Sequence, residues 1–331
     1  MAYLKQTKRS ASIRITPTGA PASPVEGQIY FNSVTKVAYV YASSFWNQMN
    51  APLRGIGGVM TTYASGGTTY IVHTFLSSST FFATGDPGTV DILMVAGGGG
   101  GGGAYNVTGG GGAGGIVVAT DYDLSDAYTI TIGGGGAVNV NGDNSTLSNT
   151  STTITALGGG HGGYGDVSTP AANRIGTAGG SGGGATMDHT ARAAGASSQA
   201  TFDGFTSYGN AGGSTSGDNT GESAGGGGAG AVGTSTIAST TYGDGGAGIA
   251  NAFRTGSNIN YGGGGGGGQW EGFARRAVGG TGGGGAAGSK SGHGAAVAGT
   301  VNTGGGGGGG ATSGSLAAIG GSGIVVIRYA V

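Results

Sequence analysis

Cysteine is absent from the sequence. Neither a disulfide framework nor a thiolate metal site can be built from it. Charge is scarce: Asp, Glu, Lys and Arg together make up 8% of the residues. Long apolar runs are missing too. The stretch from Val90 to Ala96 is typical of the longest, far short of the ~20 residues that a membrane helix needs. The N-terminus, from Met1 to Gln6, lacks the apolar centre of a secretory signal. The expectation is a protein made in a cytoplasm, with no membrane insertion. Proline is almost confined to one part of the chain. Five of the six prolines precede residue 90, and only Pro170 lies beyond it.

What the chain has in excess is glycine, 86 of 331 residues, which sets it outside ordinary composition classes. The charges divide as the prolines do. Residues 1–54 carry six basic groups (Lys5, Lys8, Arg9, Arg14, Lys36 and Arg54) against one acid, Glu26. The remainder carries seven basic and thirteen acidic groups. Two differently built regions are expected. The basic segment does not interleave aromatic and basic residues as a nucleic-acid motif would, so no nucleic-acid partner is assigned to it.

Residues 1–54 read as a small β module. Ser12 to Thr16 alternates as a short strand, and Pro17 to Pro24 reads as a loop. Gln28 to Asn32 and Lys36 to Tyr41 are rich in β-formers, with a turn from Asn32 to Thr35 between them. Phe45 and Trp46 supply a third edge. So small a module is expected to lean on copies of itself or on a partner. Residues 55–96 hold four more strand patterns, at Val59–Tyr63, Thr69–Phe75, Thr80–Ala83 and Thr89–Val95. Gly66-Gly67, Ser77–Ser79 and Gly85–Gly88 read as the turns. The spacing of about 10 residues predicts an antiparallel sheet or sandwich. Ile116–Ala119, Tyr128–Ile132 and Thr152–Ala156 read as further strands. The C-terminal strand, Gly323–Ala330, contains the apolar run Ile324-Val325-Val326-Ile327, which predicts burial on both faces.

Between these strands, across residues 97–331, glycine comes in blocks. Runs of seven occupy 97–103, 262–268 and 304–310, and runs of four begin at Gly109, Gly133, Gly225 and Gly282. The intervals are irregular, so a fixed-period solenoid is not indicated. Gly-rich chains are often flexible linkers, and glycine loses more backbone freedom on ordering than any other residue. Three features nonetheless point to order. Net charge is low, unlike that of disordered segments. The blocks sit between credible strands, and Ala, Val or Ile flank them rather than Ser alone. An extended left-handed helix of the polyproline II type has no internal hydrogen bonds, so its backbone groups point outward. Packed beside copies of itself it can bond to its neighbours, and close packing demands residues without a Cβ. A run of seven would span about 22 Å at ~3.1 Å per residue. The predicted architecture is therefore all-β plus polyglycine II: a small N-terminal β module over 1–54, an antiparallel β region over 55–96, and a bundle of packed helices over 97–331. Loops connect the helices, and strand 323–330 returns to the sheet.

Several segments resemble a known family. Val90 to Ala96 followed by Gly97–Gly103, Tyr128 to Gly133, Ile154 to Gly160 and the ending Gly320 to Tyr329 look, in this order, like the glycine-rich domain of phage tail proteins. The likeness covers about 58–331. The polyglycine core is similar to that of distal tail-fibre adhesins of T-even-like phages, and also to the glycine-rich domain of anaplastic lymphoma kinase-type receptors. Glu26 to Asn32, with Tyr39-Val40-Tyr41 and Trp46, looks like a short module found in phage tail and fibre proteins. The resemblance implies a virion protein at a tail fibre or particle surface, non-enzymatic, whose loops touch a host surface glycan or outer-membrane protein. It also implies attachment to other tail or capsid proteins through residues 1–54, and a homotrimer. T-even-like adhesins cap a separate fibre, whereas this chain carries its own N-terminal module. The alternative is a structural virion component, a decoration protein or fibre, without a receptor.

No pattern for a cofactor stands out. Gly-x-Gly-x-x-Gly matches arise by chance in such a composition, and none joins a strand to a helix. Gly283 to Ser291 has only the outline of a P-loop, because Ser289 separates Gly288 from Lys290. The histidines are far apart, and no nucleophile-elbow context is present. The recognition candidates are aromatic and arginine side chains in the linkers: Tyr105, His161, Tyr164, Phe202, Phe205, Tyr208, Trp270, Phe273, Arg275 and Arg276. Such groups supply binding energy at low entropic cost when a rigid scaffold presents them. The competing reading is that they cover the bundle or bury a contact between copies.

Overall fold

A computed structural model describes residues 17–18, 20–32, 38–42, 44–48, 54–103, 107–165, 168, 170–187, 190–217, 221–237, 241–290, 294–311 and 316–331. Residues 1–54 and 55–331 form two compact units. The protein is nearly all β, as expected, and the one helical element among the described residues is a 3-10 turn at Ala171–Arg174.

The first unit holds a four-stranded sheet of β1 (Pro17–Thr18), β2 (Ile29–Asn32), β3 (Ala38–Ala42) and β4 (Phe45–Gln48), in that order. Its core consists of cross-strand aromatic pairs. Tyr30 lies opposite Tyr39 and stacks on it at 5.2 Å, while Trp46 meets Tyr30 edge-on at 4.5 Å and Tyr41 at 5.2 Å. Pro17-Thr18, expected in a loop, instead pairs parallel with Phe31-Asn32. Proline is tolerated there because the strand is an edge. The Ser12–Thr16 strand and residues 33–35 of the expected turn lie outside the described residues.

The second unit is built on a nine-stranded sheet. Its path is β11 (Thr153–Ala156), β10 (Ser145–Ser148), β9 (Ile116–Thr131), β8 (Ser79–Val95), β15 (Ile324–Ala330), β7 (Thr68–Phe75) and β6 (Val59–Ser65). Two short strands join from the side, β5 (Arg54–Ile56) on β8 and β12 (Thr206–Tyr208) on β9. The sandwich alternative thus resolves to one sheet. β15 lies between β7 and β8, antiparallel to both, and Ile324 to Ile327 are fully buried, as the apolar run requires. A hairpin of β13 (Ile249–Asn251) and β14 (Ile259–Tyr261) covers one face. There Tyr261 and Ala229 pack with Val72, Leu93, Val95, Ile116, Ile324 and Val326.

The two strands expected on either side of Gly85–Gly88 are one strand, β8. What reads as a turn is a register shift: Ala83 lies opposite Asp126 but Gly88 opposite Leu124, with Pro87 in the extra length. A proline with flanking glycines supports a bulge as readily as a turn, since it cannot join the ladder. The segments at 116–119 and 128–132 merge likewise into β9. β10 was not legible, because Ser145–Ser148 has too few β-formers.

β8 runs directly into the first seven-glycine run. In that run Gly97 and Gly100 donate to the carbonyls of Asp143 and Val140, each at 3.0 Å. Gly98 and Gly101 donate to Gly321 and Ala318, and Gly99 and Gly102 to Gly112 and Gly109, all at 2.9 Å. The carbonyls follow the same rule. Gly97 and Gly100 accept from Gly159 and Gly162, Gly98 and Gly101 from Gly136 and Asn139, and Gly99 and Gly102 from Gly307 and Gly310. Every third residue therefore faces the same neighbour, which is the threefold repeat of a polyproline II-type helix. Six segments surround this one, and residue numbering shows the three that receive its N–H groups to be antiparallel and the other three parallel.

Residues 109–115 form a second such hub. Their neighbours are the segments 96–102, 157–163, 181–184, 224–227, 265–268 and 304–307. At most glycines of these segments a substituent would collide with backbone; Gly103 and Gly115 instead face the side chains of Val138 and Gln199. A Cβ on Gly99 would stand 2.3 Å from the Gly160 carbonyl oxygen, and one on Gly265 2.1 Å from that of Gly307. This is why the runs are glycine.

Candidate functional site

Runs 97–103, 262–268 and 304–310 all start beside the sheet. Gly262 abuts the Ile116 side chain and Gly304 abuts Val95. All three therefore finish at the opposite end, where Thr108 bonds to both Gly310 and Gly268 through its backbone. Chain leaving or entering the helices at that end must satisfy backbone groups that glycine neighbours no longer serve. Polar side chains take over, and Thr108, Thr186, Thr215, Thr236, Glu222, Ser223, Gln269 and Ser289 are all buried there.

The loop after Gly268 is anchored by Gln269. Its main chain bonds to Gly288 and Lys290, and its side-chain oxygen accepts the Ala277 N–H at 3.0 Å. Its side-chain nitrogen donates to Glu222 Oε1 at 2.5 Å. Glu222 is fully buried, and its Oε2 has no hydrogen-bond partner among the described residues. Burial pushes the carboxyl up to about 7, against a smaller opposing effect of the Gln269 bond. Above this pair the Trp270 N–H bonds to the Gly221 carbonyl at 2.7 Å. Gly221 has φ +81°, and its Cα faces the Phe273 ring and the Trp270 Cβ.

On the outside, three loops bring together aromatic and charged groups. Lys290 Nζ sits 3.9 Å from the centre of the Trp270 ring and 3.2 Å from Glu271. The Arg275 guanidinium lies 3.8 Å from the centre of the Tyr242 ring, and Tyr242 meets Phe273 edge-on at 6.0 Å. Arg275 grips Asp244 with both terminal nitrogens, each at 2.8 Å. That bond is the leading cause of the raised Arg275 pKa. Asp244 also accepts the Val278 N–H. Arg276 turns away, to the Ala295 carbonyl at 3.0 Å. Trp270 and Arg275 remain exposed and Phe273 half-buried. Cation and ring thus alternate across one surface, with each cation held by a carboxylate.

The other candidates fall elsewhere. His161 and Tyr164 lie together, with ring centroids 5.7 Å apart, on a segment that shares the 109–115 hub with 265–268. No bond joins those two segments among the described residues. His161 is fixed through its N–H to Asn141, and its Nδ1 lies 2.9 Å from the Gly162 carbonyl. Phe202, Phe205 and Tyr208 lie at the sheet end. Phe205 packs on Tyr122 at 4.9 Å, and Tyr208 sits in β12 opposite Ile116, against the core. Tyr105 lies outside the described residues. Sequence reasoning missed Tyr242, Asp244 and Lys290 as members of the surface, and Glu222 and Gln269 as the buried pair beneath it. A usable signal existed for Gln269, a polar residue directly after a run of seven glycines. Nothing local links Tyr242 or Glu222 to that loop.

No group of His, Cys, Asp or Glu among the described residues is arranged to hold a metal ion. No helix of the described residues is long and apolar enough to cross a membrane. Residues 73–330 match the family of glycine-rich domains. The match covers most of the chain, which therefore belongs to that family. No curated protein matches it as a relative.

Proposed function

We propose that the chain is a receptor-binding adhesin on a phage virion, at a tail fibre or particle surface, acting by non-covalent recognition without catalysis. The observation that carries this reading is the surface of Trp270, Phe273, Tyr242, Arg275 and Lys290. Separate loops place it at the end of the bundle away from the sheet. Rigid aromatic anchors with adjacent charges are what recognition surfaces use. The glycine bundle beneath holds those anchors in place at little cost in flexibility. The sequence likeness to phage tail proteins supports the virion setting. The partner is a host surface glycan or outer-membrane protein. Residues 1–54 attach the chain to other tail or capsid proteins, in a homotrimer.

A second reading, a structural virion component without a receptor, draws on one observation: Arg275 and Lys290 already have carboxylate and aromatic partners. One experiment separates the two. Particles carrying Trp270→Ala or Phe273→Ala are expected to assemble normally and to adsorb to the host about 30-fold more weakly for each anchor removed, on the scale of ~2 kcal/mol per anchor. Unchanged adsorption and host range of assembled particles would favour the structural reading.

A further inference from the structure

Glu222 stands out among the acids because no described residue completes its hydrogen bonding. It is fully buried, Oε1 takes one bond from Gln269, and Oε2 takes none among the described residues. A neutral carboxylic acid tolerates such a place, whereas a carboxylate with a bare oxygen does not. What it touches matters equally. Gln269 anchors the loop that carries Trp270 and Phe273, and Gly221, next to Glu222, holds the Trp270 N–H. Among the described residues the neighbouring charges are few. Asp244 disfavours the ionised form and Arg275 favours it, with Asp244 and Arg275 bound to each other. The flanking loops also carry Glu271, Lys290 and Arg276. In the sequence His293 follows Lys290 by three positions.

We propose that Glu222 is a positioning residue for this surface, and that loss of its proton switches the Trp270–Phe273 loop between two arrangements. Ionisation puts a charge on Oε2 that has two remedies. Water enters beneath the loop, or Arg275 swings from Asp244 toward Glu222 and leaves the Tyr242 ring. Each alters the face presented by Trp270, Phe273 and Tyr242. With the carboxyl pushed up to about 7, the ionised fraction rises from about one in ten at pH 6 to about nine in ten at pH 8. The consequence for binding rests on the adhesin reading above; the loop rearrangement itself does not.

The chain has two tryptophans, so Trp46→Phe leaves Trp270 as the sole tryptophan, read by exciting tryptophan selectively over the tyrosines. His293→Gln in the same full-length protein removes the histidine nearest to Trp270 in sequence. Without any receptor, the emission of Trp270 is expected to titrate with a midpoint near pH 7, and Glu222→Gln is expected to abolish the transition. A transition unchanged by Glu222→Gln, or none between about pH 5 and 9, overturns the proposal. The Glu222 carboxyl carbon, followed by NMR in the unmutated protein, gives an independent reading. A midpoint near the ordinary 4.5 also overturns the proposal. Adsorption of Trp270→Ala particles is scored separately. If it is unimpaired while the Trp270 emission still titrates through Glu222, the switch stands and the adhesin reading falls.

Discussion

At the scale of single residues, the glycines of the bundle divide into two kinds that look identical in sequence. Gly99 faces the Gly160 carbonyl at a distance no Cβ can share, whereas a Cβ on Gly134 meets only the Asp143 carboxylate, at 3.2 Å. Gly99→Ala is therefore expected to cost more than ~3 kcal/mol or to prevent folding, because backbone on both sides has to move. Gly134→Ala is expected to stay within ~1 kcal/mol of the parent, or to gain slightly from a less flexible unfolded chain. Thermal melts of the two variants decide this, and equal behaviour would deny the packing described. Glu222 gives a second residue-scale expectation. Its folded-state carboxyl titrates near 7 while the ordinary value is 4.5. The unfolded chain thus sheds its proton first as pH rises. The stability contributed by this group is complete below 4.5, falls between 4.5 and 7, and is level above. The melting temperature of the parent should fall relative to that of Glu222→Gln across this window and stay offset at higher pH.

At the scale of elements, β15 ties the sheet to its cover. Arg328 bonds to Asp91 on β8 at 2.7 Å and to the Tyr63 hydroxyl on β6. Its guanidinium lies between the rings of Tyr70, at 4.4 Å, and Phe253, at 4.2 Å. Phe253 stands between β13 and β14, so one side chain clamps that hairpin to three strands. Arg328→Met keeps much of the packing but leaves Asp91 without its cation. It is expected to cost about 1–3 kcal/mol, read as a lower midpoint in denaturant with an unchanged slope. The strands themselves were legible to different degrees. β15 announced itself, since an apolar run of four with turn signals before it has few alternatives. β8 did not, because Gly85 to Gly88 satisfies the requirements of a turn and of a bulge alike, and only pairing with β9 decides between them. The short strands β12, β13 and β14 depend on the sheet and bundle they lie against, and three residues carry no periodicity of their own.

At the scale of the whole molecule, sheet and bundle are continuous. β8 becomes run 97–103, residues 109–115 become β9, and Gly320 to Gly323 lead into β15. Strands exchange hydrogen bonds with two neighbours in a plane, and the glycine helices extend the exchange to six around an axis. The sequence pattern revealed that the runs are ordered and bracketed by strands. It could not reveal which run lies beside which, because runs of glycine are interchangeable to any local reading. For the same reason the Trp270 and Phe273 surface was legible only in part: its aromatic members stand out as linker residues, while Tyr242, Asp244 and Glu222 arrive through the order of helix packing. The most direct test of the central claim is amide hydrogen exchange along 97–103, 262–268 and 304–310. The interior amides of these runs are buried, and all but that of Gly305, which bonds to the Thr303 hydroxyl, are bonded to another segment, so exchange at Gly99, Gly265 and Gly307 is predicted to require opening at close to the global unfolding free energy. Exchange of these glycines at the rate of an unstructured chain would contradict the account.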